Sequence, residues 1–237
     1  MSVNKEREPT PDGRERYIPQ RVPPAAERKN DQESLRAALD VIAGVHRASK
    51  AAQGPAPQNR AEKAALDQAL RVGEEKLLRR WALAANKMIP ADPFTDAWEA
   101  QGGEGGAEHQ VYVQLGIYYK RNNLNYYGTW LSYLHNLLLH NWLFPETGYT
   151  FLGLMDVEGS LQSVVSQKAL RGVRGATADE VATYMLPFDF IPLQNSDYIN
   201  TGFGIIVSDL HHRNVLVRDD GELLVFDPVI YLQWPSE

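Results

Sequence analysis

The stretch SDLHHRNVLVRDDGELLVFDPV, Ser208 to Val229, constrains the fold of this 237-residue chain more than any other segment. Apolar runs lie on either side of Asp219, Asp220 and Gly221, and glycine supplies the left-handed backbone that a tight antiparallel turn requires. A two-stranded ribbon is therefore expected. A ribbon that folds back makes neighbours of its entrance and exit, so Asn214 and Asp227 are expected to converge although thirteen positions separate them. Asp209 stands just upstream, at the end of the strand that leads in. An amide oxygen beside a carboxylate suits a hard divalent cation that also keeps waters and phosphates, which favours Mg²⁺, with Mn²⁺ as the alternative. Asp209 is then left to accept a hydrogen bond from a hydroxyl and orient its oxygen. Phosphoryl transfer needs this division of labour, because positioning and charge neutralisation dominate its catalysis.

Residues 1–29 are charged and proline-rich, and PTPDG and VPP interrupt regular structure there. This polar arm is expected to be mobile or to order on a protein partner. Residues 30–100 are expected as a helical extension. Asn30 with Glu33, and Asn59 with Glu62, have capping-box spacing ahead of the stripes Leu35, Leu39, Ile42, Val45 and Leu66, Leu70, Leu77, Trp81. Two antiparallel helices follow, packed on each other or on the next domain. The chain has no cysteine, which excludes disulfides, thiolate nucleophiles and Cys-ligated zinc. No apolar run reaches eighteen residues and the first residues carry no secretion-signal core, so a soluble, cytoplasmic protein without membrane contact is expected. A net charge of −6 provides no general field for nucleic acid.

From Gln101 the pattern changes. Gly102, Gly103, Gly105 and Gly106 let backbone N–H groups approach an anion, although their spacing is neither that of a P-loop nor that of a dinucleotide fingerprint. An alternating strand is expected to follow and end near Lys120. Gly128 to Asn141 reads as a helix apolar on more than one side, and TGYTFLGLMDVEGSLQSVVSQ as two strands about a turn at Asp156–Gly159. Thr177 and Glu180 form a capping box for a short helix from Ala178 to Met185. His135 and His140, five apart, miss the spacing of a helical metal pair and read as core or boundary residues. His211 and His212 read as a surface pair.

DLHHRN, with Asp227 eighteen positions after Asp209, resembles the catalytic loop and metal-binding aspartate of the protein-kinase-like fold. DLH followed by xxN is similar to the small-molecule phosphotransferase branch. GYTFLGL, VVSQKAL, ATADEVATYM, YINTGFGIIVSDLHHRNVLV and ELLVFDPV resemble the kinase-like domain of bacterial and phage polyvalent proteins, over roughly residues 101–231. The resemblance implies an α+β fold: a compact, shortened protein-kinase-like domain behind an N-terminal helical extension, with its N-lobe at 101–170 and an abbreviated C-lobe at 171–237. It implies Asp209 as catalytic base, Asn214 and Asp227 as metal ligands, and Lys120 as the lysine that contacts the nucleotide's phosphates. Gly102 to Gly106 take the place of the glycine-rich lid, and Ser166 and Gln167 that of the hinge meeting adenine.

The implied function is Mg²⁺- and ATP-dependent transfer of a γ-phosphate to a hydroxyl on a protein or small molecule. Three positions depart from the kinase pattern. The helix Gly128–Asn141 has no acidic residue to pair with Lys120, leaving Glu146, Glu104 or Glu108 for that task; VSD stands where HRD is usual; and Pro228 follows Asp227 in place of glycine. Ten residues after Asp227 are also too few for the helices that bind protein substrates. These departures define the alternatives: a pseudokinase that binds nucleotide or serves only as an interaction module, and an AMP transferase.

Overall fold

The computed structural model describes residues 7–9, 15–17, 29–52, 57–89, 109–114 and 116–232. The fold is mixed α+β, in two units: residues 27–141 with 147–169, and residues 1–26 with 142–146 and 170–237. Among the described residues no helix is long and apolar enough to cross a membrane.

The first unit opens with α1 (Lys29–Ala52) and α2 (Arg60–Ala84). At α2 the expected cap is present: Asn59 Oδ1 accepts the Glu62 N–H at 3.0 Å, and Glu62 Oε2 accepts the Gln58 N–H at 2.7 Å. At α1 the helix starts at Lys29, so Asn30 lies inside it. The two helices pack on each other: His46 meets Glu74, and Val45 packs on Gly73. Leu35, Leu39 and Ile42 of α1 are buried as the stripe predicts. On α2 the buried ridge is Leu70, Glu74, Leu78 and Ala82, and it places a carboxyl where the sequence pattern suggests solvent.

Both helices share one core with the strands that follow, including Leu124, Trp130, Leu134, Phe151, Leu154 and Leu161. Burying each such side chain contributes about 1.5–3 kcal/mol, so the helical pair is part of what stabilises the sheet. The strands are β3 (Met88–Ile89), β4 (His109–Gln114), β5 (Ile117–Asn122), β6 (Thr150–Val157) and β7 (Ser160–Lys168), in the order β3-β6-β7-β5-β4. β3 runs parallel to β6 and the other pairs are antiparallel. The single alternating strand expected before Lys120 is instead the hairpin β4–β5, closed where Gln114 pairs with Ile117. α3 (Trp130–Leu143) covers the helix expected in this region, and its Tyr133 hydroxyl accepts a hydrogen bond from Ser163 of β7.

Gly153 joins β3 to the sheet. Its φ is 153°, the ladder shifts register there, and an added Cβ would sit 2.2 Å from the Lys87 carbonyl oxygen, which accepts the Leu154 N–H at 2.8 Å. Gly153→Ala must therefore push the α2–β3 connection off the sheet. We expect a loss of about 1–3 kcal/mol in urea unfolding, the usual cost of overpacking; unchanged stability would mean the Lys87 carbonyl yields without cost.

In the second unit, β1 (Arg7–Pro9) pairs antiparallel with β2 (Glu15–Tyr17), a short hairpin in a region where the sequence suggests no regular element. The remaining elements are β8 (Arg174–Gly175), α4 (Ala178–Met185), β9 (Ile191–Pro192), β10 (Tyr198–Asn200), β11 (Ile205–Ser208), β12 (Val215–Val217), β13 (Leu223–Val225) and β14 (Val229–Leu232). They form two sheets, β14-β11-β10-β9 and β13-β12-β8. Thr177 and Glu180 make the expected capping box at α4, and the bonded Arg174 guanidinium, then the Thr177 N–H, lowers the Glu180 carboxyl to about 2. The ribbon expected from the sequence is β12–β13, with Gly221 at φ 85° in its turn.

Candidate functional site

β11 ends at Ser208, and the next residue, Asp209, adopts a left-handed backbone with φ 68°. Buried Leu210 then anchors the loop, whose last turn closes when the Asn214 and Val215 N–H groups both donate to the His211 carbonyl, at 2.8 and 3.1 Å. This brings Asn214 back onto Asp209. Asn214 Nδ2 donates to Asp209 Oδ2 at 2.9 Å, to the Asp209 carbonyl at 3.0 Å and to the Asp227 carbonyl at 3.4 Å. All three partners are acceptors only, which fixes which end of the amide faces them. The oxygen end is therefore turned away from Asp209.

Asp227 lies at the ribbon's exit, between β13 and β14, and is also left-handed, with φ 50°. The Phe226 N–H donates to the Asn214 carbonyl at 2.9 Å, so entrance and exit are bonded through main chain as well as side chain. Asp209, Asn214 and Asp227 thus stand together at one end of the ribbon. Aspartate tolerates this backbone better than most residues, yet it costs on the order of 1 kcal/mol at each position, and such strain gathers at functional sites.

Around this group the structure adds contacts that the sequence did not assign. His211 Nε2 lies 3.1 Å from Asp209 Oδ1, so one of the two histidines read as a surface pair is turned inward onto the aspartate. Gly175 of β8 lies under the loop, and an added Cβ would sit 2.3 Å from the His212 carbonyl oxygen. The Asp209 N–H donates to Asp197 Oδ1 at 3.2 Å. The contacts of Gly175 and Asp197 do not follow from local pattern, because each joins the loop to a separate segment of the chain.

Lys120, Ser166 and Gln167 lie in the other unit, on paired strands. Lys120 of β5 faces Val165 of β7, and Tyr119 and Tyr118 face Ser166 and Gln167. Ser166 and Gln167 are thus in register within β7 and not in a loop after it. Directly paired residues share a face, so Lys120 and Gln167 point to one side and Ser166 to the other. Lys120 is buried at 5% exposure, unlike the exposed strand end that its neighbour Arg121 suggests. Its Nζ donates to the Tyr149 hydroxyl at 3.4 Å and lies 5.1 Å from that ring's centre. The Asn141 side chain holds Tyr149 by two 2.7 Å bonds, to its N–H and its carbonyl, while Gln167 Nε2 donates to the Thr147 carbonyl at 2.5 Å. Gly102, Gly103, Gly105, Gly106, Glu104 and Glu108 lie outside the described residues.

Among the described residues no cluster of three or more His, Asp or Glu side chains is set to hold a metal ion. The oxygen donors that fit a hard cation are the Asn214 amide oxygen and the Asp227 carboxylate, a pair that needs substrate oxygens and waters to complete a shell. A cavity of about 960 Å³ in this unit lies at the opposite, turn end of the ribbon, against Asp220, Gly221 and α4, away from these residues.

A family model described as a serine/threonine/tyrosine kinase found in polyvalent proteins, Kinase-PolyVal, matches residues 72–234. Comparison with curated proteins and with solved structures gives no match. The matched span holds the ribbon, the loop before it and Lys120, and it begins upstream of the residues that carry the resemblance in sequence. With most of its length inside that match, this chain belongs to the kinase-like Kinase-PolyVal family.

Proposed function

We propose that the chain is a Mg²⁺- and ATP-dependent phosphotransferase that moves the γ-phosphate to a hydroxyl of a protein or small molecule. One observation carries the reading: in a chain of a kinase family, a single asparagine ties the Asp209 carboxylate to the backbone of Asp227 at the mouth of one ribbon. Asn214 Oδ1 and the Asp227 carboxylate would hold Mg²⁺, which when bound neutralises polyphosphate charge. Asp209 accepts the proton of the acceptor hydroxyl as that oxygen bonds to the γ-phosphorus, and the bond from phosphorus to the bridging oxygen breaks to leave ADP. Lys120 supplies a positive charge for the phosphates, Gly102 to Gly106 a backbone lid, and the main chain at Ser166 and Gln167 the adenine contact. Residues 101–170 are then the N-lobe and 171–237 a shortened C-lobe of a kinase-like fold.

The test is melting of the intact chain with ATP, with and without Mg²⁺, alongside ATP turnover. Asp209→Ala should retain the Mg-ATP melting shift and lose transfer by about 10²–10⁴-fold, the range for a positioned base. Transfer undiminished in that variant removes Asp209 from the chemistry. A second reading, nucleotide binding without transfer, draws support from the lack of any acid on α3 and from buried Pro228 after Asp227; it predicts a melting shift and no turnover in the parent chain. The mass gained by a modified product separates phosphate from AMP transfer.

A further inference from the structure

The chain reverses between β9 and β10 without a glycine. Asn195 and Ser196 both have positive φ, 59° and 63°, as a type I′ turn requires. The Asp197 N–H donates to the Gln194 carbonyl at 3.2 Å, and the Leu193 N–H to the Asp197 carbonyl at 2.7 Å, which closes it. Its tip reaches the loop that carries Asp209. The Leu210 N–H donates to the Ser196 carbonyl at 3.1 Å, and the Asp209 N–H to Asp197 Oδ1 at 3.2 Å.

These two successive N–H groups are the first beyond the end of β11, where Ser208 makes its last pairing with Val229 of β14. A left-handed residue at such a point leaves the strand's direction, so its N–H needs an acceptor off the ladder. Asp197 supplies one from a side chain. We infer that Asp197 is a positioning residue: it does not meet substrate, but holds the Asp209 main chain in the left-handed turn that aims the Asp209 carboxylate. The inference rests on the function proposed above. The contact uses one acceptor oxygen and not a negative charge, so an amide oxygen in the same place should serve.

The test compares Asp197→Ala and Asp197→Asn in the full chain, by amide hydrogen exchange at residues 208–211 and by Mg-ATP turnover. Asp197→Ala should speed exchange at the Asp209 amide by about tenfold or more and lower kcat on the order of 10- to 100-fold, as a small misplacement does, with KM for ATP and the melting temperature unchanged. Asp197→Asn should restore both. Parent-like exchange or kcat in Asp197→Ala overturns the inference. So does an Asp197→Asn chain as deficient as the alanine variant, because charge would then be what matters. A fall in melting temperature that accounts for the lost turnover overturns it too. An inert parent chain whose Asp209 amide still responds to Asp197→Ala refutes the proposed phosphotransferase while leaving the contact in place, so the two failures are told apart.

Discussion

Under the proposed function, an Asp227→Ala chain should lose Mg²⁺-dependent ATP turnover by at least about 10²–10³-fold, the scale of losing one preorganised electrostatic contact in a reaction centre. Its fold survives. The Phe226 N–H and the Asp227 carbonyl, which close the ribbon's mouth onto Asn214, belong to the main chain and remain after the side chain is removed. What alanine adds is left-handed strain at φ 50°, about 1–2 kcal/mol. Asp227→Asn avoids most of that strain and still removes the charge, so turnover should collapse in both variants while only the alanine chain melts measurably earlier. Parent-like turnover in both would remove Asp227 from the chemistry.

The largest expected loss of stability is at Glu74. Its side chain is fully buried, and three donors converge on it: the N–H groups of Trp130 and Leu131, at 2.8 and 3.0 Å, and His46 Nε2 at 2.6 Å. It therefore caps the first turn of α3 from a neighbouring helix, where the helix dipole favours an acidic group. Glu74→Ala leaves the Trp130 and Leu131 N–H groups without acceptors and His46 without its partner; at roughly 1–3 kcal/mol for each donor left unsatisfied it should cost about 3–5 kcal/mol. In a chain of this size that lowers the melting temperature by roughly 10 °C. His46→Ala leaves the cap on α3 in place and should cost clearly less. A Glu74→Ala chain that melts with the parent would show that α3 holds its N-terminus by other means.

Glu74 also shows where sequence reasoning stops. A glutamate in a helix is read as solvent-facing because nothing local says otherwise, and its partner at Trp130 lies 56 positions away. Where the chemistry is local, the pattern was legible: the capping groups at Asn59 and Thr177, the strands on either side of Glu158–Gly159, and the ribbon at Gly221 are each specified within a few residues. The β4–β5 hairpin was hidden because its turn interrupts an alternating run without breaking the alternation. At the candidate site, closure of the ribbon makes the approach of Asn214 to the Asp227 backbone a matter of strand geometry. The contacts of Asp197 and Gly175 with the loop depend on how separate segments meet, which no spacing records. The family was legible from the segments around the ribbon, and the match over residues 72–234 bears it out.

The handedness at Asp209 and Asp227 also bears on how a lineage of such chains can change. Backbone at φ 68° and 50° admits few amino acids without penalty, chiefly glycine, asparagine and aspartate. Two of those three lack a carboxylate. Descendants that fall silent while staying folded should therefore carry Asn or Gly at these places, whereas Glu, Val or Thr there would mark a loop that has been rebuilt.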